Sequence, residues 1–190
     1  EKILSWLQSQ LAQDKTVRLE DRSVELSQVA VQGPKSRELL MSLGWTALEK
    51  LKLHHTCDGT IGGLSCLLAR TGYTGELGYE IYIDADKVGC LWDLLVDKGQ
   101  AWRLKPAGLG ARDLLRLEMG YLLYGNDMGE ETTPLEANAD WTVSFQKGGF
   151  IGSQALLAQK QAGVARRFVA FSLVEKAVPR HGFRILDPAT

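Results

Sequence analysis

Residues 70–83 read Arg-Thr-Gly-Tyr-Thr-Gly-Glu-Leu-Gly-Tyr-Glu-Ile-Tyr-Ile, and this stretch constrains the chain more than any other. Gly72, Gly75 and Gly78 supply positive-φ geometry or a close backbone approach that larger residues forbid. Tyr79 to Ile83 then predicts a strand, because aromatic and β-branched residues dominate it. Neighbouring strand side chains face opposite ways, so Glu80 points away from Tyr79 and Ile81. A carboxylate on a rigid element beside a glycine turn and Tyr73 is a way of presenting an acceptor to a planar, donor-rich ligand. The plainer alternative is a solvent-facing strand glutamate, the commoner fate of that residue type.

Around this stretch the chain alternates helices and strands. Ile3, Leu4, Leu7 and Leu11 share a helical face and predict a helix over 1–11. Short strands are expected near Val17–Leu19 and Val29–Val31. Pro34 suits the first turn of a helix running to Leu43. Over Trp45–Leu53 a short helix and then a strand are expected. Asp58-Gly59 reads as a turn ahead of a buried strand over Leu64–Ala69. That strand and Tyr79–Ile83 predict an antiparallel hairpin across the glycine loop. A helix carrying Val88, Leu91, Trp92 and Leu95 should stop at Gly99, and another follows Pro106. Residues 120–134 form a long glycine-rich loop, of a length that is functional or mobile in a compact domain. Trp141–Phe145 and Phe168–Leu173 are strand candidates, with a helix between Gly152 and Gly163. Phe183–Leu186 reads as a further strand. The sum is an α+β fold with a largely antiparallel sheet flanked by helices. The chain opens on Glu1 in mid-helix, so an internal piece of a longer protein is expected.

Composition narrows the function classes. A formal charge of −1 without a Lys/Arg block gives no electrostatic footprint for nucleic acid. No apolar run approaches a membrane span, so a soluble protein is expected. Cys57, Cys66 and Cys90 show no Cys-x-x-Cys spacing and read as free, buried thiols in a reducing compartment. His54 and His55 are adjacent and lack a third ligand at a familiar spacing, so no metal is expected. His181 has no evident catalytic partner.

Arg112 lies in Gly108-Leu109-Gly110-Ala111-Arg112-Asp113, where a local Arg-Asp ion pair is the ordinary reading. The functional reading is a guanidinium aimed at a ligand carbonyl or carboxylate, which its fixed fork suits. Tyr73, Tyr121, Tyr124 and Trp141 are candidates to sandwich a flat ring, with core or loop packing as the alternative. The glycine spacing does not match a dinucleotide fingerprint or a phosphate loop, and a strand follows it where those motifs need a helix.

Several segments together resemble the glycine cleavage system T-protein (aminomethyltransferase) family. They are 29–35 (Val-Ala-Val-Gln-Gly-Pro-Lys), Arg70 to Ile81, 105–113 with Leu115-Arg116-Leu117-Glu118, 123–128 (Leu-Tyr-Gly-Asn-Asp-Met), 133–137 and 150–152. The resemblance implies that Glu80 and Arg112 contact folate and that Tyr73 lines the same pocket, with Tyr124 and Trp141 as further binding candidates. It implies the central domain of a three-domain folate-binding protein over 1–165, with a remnant of the N-terminal domain, and the start of a C-terminal barrel over 166–190. The implied reaction passes a one-carbon unit from the aminomethyl-lipoyl arm of the H-protein to tetrahydrofolate and releases ammonia. The family's key aspartate belongs upstream of Glu1, so residues 1–190 are expected to hold no catalytic residue and to be inactive alone. No metal, nucleic acid or membrane enters this picture. The setting is the bacterial cytoplasm, or the mitochondrial matrix in a eukaryote. A folate-dependent demethylase of the same fold would share these motifs. A folate-binding iron–sulfur assembly factor would carry a cysteine where this chain has Lys147-Gly148-Gly149-Phe150.

Overall fold

The computed structural model describes residues 2–11, 16–180 and 182–186. The chain divides into two compact units, Glu1–Tyr121 and Leu122–Thr190.

The first unit is built on a four-stranded antiparallel sheet. Its strands are β1 (Leu26–Gln32), β2 (Thr56–Ile61), β3 (Leu64–Ala69) and β4 (Gly78–Asp84), in spatial order β1-β4-β3-β2. The expected hairpin across the glycine loop is present, with Leu68 opposite Ile81 and Ala69 opposite Glu80. On the other side of β4, Ala30 faces Glu80 and Gln32 faces Gly78. Period-two alternation decides which side is covered. Val29, Val31, Leu68, Tyr79, Ile81 and Ile83 all turn to one face and are buried. Glu80 and Tyr82 turn to the other and are half-buried.

Two helices cover the buried face. Helix α2 (Ser36–Ser42) delivers Leu39 and Leu40, and α3 (Val88–Gly99) delivers Leu91 and Leu95. Trp45 and Leu48, around a 3-10 turn at Thr46–Glu49, complete the core. Trp92, expected inward, is exposed. Helix α1 (Lys2–Leu11) forms as the periodicity predicts but buries no residue.

Three further expectations for the first unit are corrected. Val17–Leu19 is not a strand; it finds no partner strand, and Val17 and Leu19 stay exposed. The β2–β3 turn lies at Gly62-Gly63, not at Asp58-Gly59. Both turn residues have positive φ, 55° and 84°, the geometry of a two-residue hairpin loop. Gly59 instead sits within β2 to admit the Trp45 ring, where a Cβ would come within 2.9 Å of the indole. The strand expected by Leu53 starts only at Thr56. Helix α3 does end at Gly99 as expected, and a 3-10 turn at Gln100–Trp102, closed by left-handed Arg103, follows it.

After Gly108 comes α4 (Leu109–Glu118), whose one buried residue is Arg116. The second unit carries α5 (Ser153–Ala162), ended at Gly163 as expected. It is otherwise irregular among the described residues. Trp141–Phe145 forms 3-10 turns and not a strand. Phe168–Leu173 is no strand either: Val169, Phe171 and Leu173 are exposed, and Phe168 bonds instead to the Glu136 and Asn138 segment. Residues 183–186 are likewise not in a strand, and His181 and residues 187–190 lie outside the described residues.

Candidate functional site

The glycine loop between β3 and β4 is pinned from below by β1 and α2. The Gly33 N–H donates to Leu77 O at 2.7 Å, and the Ser36 hydroxyl donates to the same carbonyl at 3.3 Å. The Gln32 side-chain amide donates to Tyr79 O at 3.1 Å and to Thr71 O at 3.3 Å. The buried Tyr79 ring is fixed at its far end, where Arg37 Nε donates to the phenol oxygen at 3.0 Å.

Glu80 stands on the uncovered face of the sheet. Its Oε2 accepts the Thr71 hydroxyl across the mouth of the hairpin. Tyr82, on the same face, has its phenol pushed above the ordinary value, by burial first and by the Glu80 charge second. Oε1 accepts no hydrogen bond among the described residues.

Two residues beyond Thr71, Tyr73 begins a stack of three. The Tyr121 ring lies against it at 5.8 Å between centroids and 19° between planes. The Arg112 guanidinium lies over the Tyr73 ring at 4.6 Å. This geometry suits a cation–π contact, which favours arginine over lysine. The ordinary reading of Arg112 as half of a local ion pair with Asp113 is overturned: Asp113 binds Arg116 at 2.6 Å. Arg112 is exposed and meets no carboxylate among the described residues.

Arg116 holds the end of α4 under this stack. Its Nε donates to Asp113 at 2.7 Å and a terminal nitrogen donates to Tyr121 O at 3.1 Å. The Tyr121 N–H in turn donates to Arg116 O at 2.9 Å. Both Tyr73 and Arg112 thus hang from anchored backbone, one on the loop and one on the helix.

The structure therefore ties Glu80, Tyr73 and Arg112 to one loop. Glu80 is joined to it through Thr71, and Arg112 rests on it through Tyr73. A carboxylate with an open oxygen and a guanidinium that meets no carboxylate among the described residues are complementary to a ligand bearing an N–H pair and a carbonyl or carboxylate. An open cleft of about 320 Å³ flanks the loop, with His54, Arg70, Thr71 and Tyr121 among its walls; Glu80, Tyr73 and Arg112 do not line it. Tyr124 and Trp141 belong to the second unit, where both are exposed, at 61% and 83%. Sequence reasoning missed Thr71 and Gln32. The one signal for Gln32 was the absence of a side chain at Gly72 and Gly78, and only the strand register shows what fills that space.

The first 147 residues match the GCVT N-terminal domain family, and the chain belongs to that family. It is 47% identical over 170 residues to the aminomethyltransferase of Thermoanaerobacter pseudethanolicus, covering 89% of this chain and 46% of that protein. To the aminomethyltransferase of Halothermothrix orenii it is 46% identical over 187 residues, covering 98% of this chain and 52% of the relative. Among solved structures, the glycine cleavage system aminomethyltransferase T from Bartonella henselae matches with a TM-score of 0.63 at 34% identity. That match covers 73% of this chain and 37% of the other. The chain spans about half the length of the curated relatives it matches. No helix among the described residues is long and apolar enough to cross a membrane.

Proposed function

We propose that this chain supplies the folate-cleft portion of a tetrahydrofolate-dependent aminomethyltransferase of the glycine cleavage system. The observation that carries it is the single glycine loop serving both the Glu80 carboxylate, through Thr71, and the Arg112 guanidinium, through Tyr73. Tetrahydrofolate, as the acceptor, supplies the nucleophilic N5 that takes the one-carbon unit; ammonia leaves the aminomethyl-lipoyl group of the H-protein. Glu80 accepts from the N–H pair of the pterin ring, and Arg112 faces a carbonyl or carboxylate of the same ligand. A Thr71 hydroxyl spent on one Glu80 oxygen fixes the carboxylate plane and leaves the other oxygen for the ligand. Tyr124 and Trp141, both in the second unit, are kept as further binding candidates.

In this reading residues 1–165 form the middle of a three-domain protein, and 166–190 begin its C-terminal barrel. In the same reading the aspartate that positions and helps activate the folate is supplied from outside residues 1–190, and these residues alone are inactive. The relatives named above are all aminomethyltransferases, which favours this activity over demethylation of another donor. Their bacterial source supports a cytoplasmic setting.

The test is ammonia release and methylene-tetrahydrofolate formation by the full-length protein supplied with tetrahydrofolate and aminomethylated H-protein. Glu80→Ala should weaken tetrahydrofolate binding by about 1.5–3 kcal/mol, the loss of a charge-assisted hydrogen bond. Unchanged affinity by calorimetry removes Glu80 from the site.

A further inference from the structure

We infer that Gln32 is the positioning residue of the Glu80 carboxylate, acting through Thr71. The inference rests on the folate reading for its functional consequence, but its geometry stands apart from it. Gln32 ends β1 directly opposite Gly78 and shares the Glu80 face, since Ala30 opposite Glu80 is the next pair of that face along the ladder. Its amide crosses the bare backbone of β4 and reaches into the loop. There it donates to Tyr79 O and Thr71 O and takes a long bond, 3.4 Å, from the Thr74 hydroxyl at its oxygen.

Two glycines make room for it. A Cβ at Gly78 would come within 1.9 Å of Gln32 Oε1, and one at Gly72 within 2.1 Å. A real Cβ tolerates neither approach, so any side chain at 72 or 78 displaces the amide. Two of the three glycines that mark this loop in the sequence are thus explained by one side chain on another strand.

Thr71 is then held at both ends. Its carbonyl is fixed by Gln32, and its hydroxyl is committed to Glu80. Half-buried polar groups in series transmit position because each has few alternative partners. If the Gln32 amide is withdrawn, the Thr71 peptide is free to turn, and the hydroxyl no longer fixes the carboxylate plane. Gln32 touches no ligand in this scheme; it sets the direction of the group that does.

The experiment uses the full-length protein. Gln32→Met keeps length and bulk while removing both donors, and Thr71→Val removes the hydroxyl. The carboxyl carbon resonance of Glu80, assigned by comparison with Glu80→Gln, should move on Gln32→Met as it does on Thr71→Val, with no ligand present. Tetrahydrofolate Kd should rise about tenfold in each, the equivalent of one neutral hydrogen bond. The double variant should be no worse than Thr71→Val alone. Gly78→Ala should reproduce Gln32→Met and add nothing in a Gln32→Ala background. If Gln32→Met does not fold, Gln32→Asn, one carbon too short to span Gly78, gives the same readouts. An unmoved Glu80 resonance, or additive losses in the double variant, overturns the inference. A moved resonance in a protein that binds no tetrahydrofolate upholds the positioning role and overturns the folate reading alone.

Discussion

Asp113 forms its ion pair with Arg116, one helical turn on, and not with its neighbour Arg112. That choice divides two arginines of one helix into different tasks. Arg116 is 1% exposed and spends its donors on Asp113 and the Tyr121 carbonyl. Arg112 is left over the Tyr73 ring with its outer face open.

The division predicts opposite phenotypes. Arg116→Met should destabilise the first unit by about 1.5–3 kcal/mol, the worth of hydrogen bonds to a charged group. Asp113 is half exposed and can re-solvate, which keeps the cost below that of a stranded buried charge. Arg112→Ala removes only an exposed cation–π contact, about 0.5–1 kcal/mol, yet should weaken tetrahydrofolate binding more than it weakens the fold. Denaturant unfolding and calorimetry on both variants decide it. Equal loss of stability in the two would show that Arg112 is a structural residue like Arg116.

The hairpin over Leu64–Ala69 and Tyr79–Ile83 was legible from local sequence, because alternation and β-branching act within a few residues. The class of the fold followed from it. What was not legible depends on partners distant in the chain. Val17–Leu19 and Phe168–Leu173 carry strand-like residues, yet a strand exists only where another edge accepts its ladder. Asp58-Gly59 looks like a turn until Trp45 is placed against it. The same holds for the site. Glu80, Tyr73 and Arg112 stand out by motif, whereas Gln32, 39 residues before Thr71, is visible only through strand register.

Gly59 and Gly89 offer a paired test of that lesson. A Cβ at Gly59 meets the buried Trp45 ring at 2.9 Å, so the strand or the ring must shift. Gly59→Ala should therefore cost about 1–3 kcal/mol by overpacking. Gly89, in the first turn of α3, would meet nothing within 4 Å. Gly89→Ala should stabilise the unit by about 0.4–1 kcal/mol, by restricting the unfolded chain. Thermal unfolding of the two variants should move in opposite directions; a shared direction would contradict the packing described for Trp45.

The three thiols separate by burial. Cys90 is exposed, Cys57 intermediate and Cys66 buried against the core, a correction to the expectation that all three are sequestered. Burial pushes the Cys66 thiol from 9.0 up to about 11. Folding therefore favours its protonated form. The corresponding stability is intact below pH 9.0 and declines as the pH rises toward about 11. Iodoacetamide at neutral pH should label Cys90 fastest and leave Cys66 unlabelled in the native protein. Cys66→Ala should flatten the alkaline decline in stability. Rapid labelling of Cys66 by mass spectrometry would refute its burial.

The acid side is set in the second unit, where Glu136 joins its own segment, 133–136, to the segment 166–168. Arg166 Nε donates to its Oε1 at 2.9 Å, and the Thr133 N–H donates to its Oε2 at 2.8 Å. Its backbone carbonyl accepts the Phe168 N–H at 2.7 Å. The Arg166 hydrogen bond first, and the Thr133 N–H second, hold the carboxyl below its ordinary value of 4.5. A depressed carboxylate stabilises the fold above the unfolded value, and that contribution disappears as pH falls through the folded one. Protection of the Phe168 amide from hydrogen exchange should consequently be constant at neutral pH and fall below about pH 4.5 as Glu136 takes up its proton. Arg166→Gln should lower that protection at neutral pH and remove most of its acid dependence, while Thr133, contributing a backbone donor, keeps the remainder. If the protection of Phe168 does not change between neutral and acid pH in the unaltered protein, Glu136 is not the link between these segments.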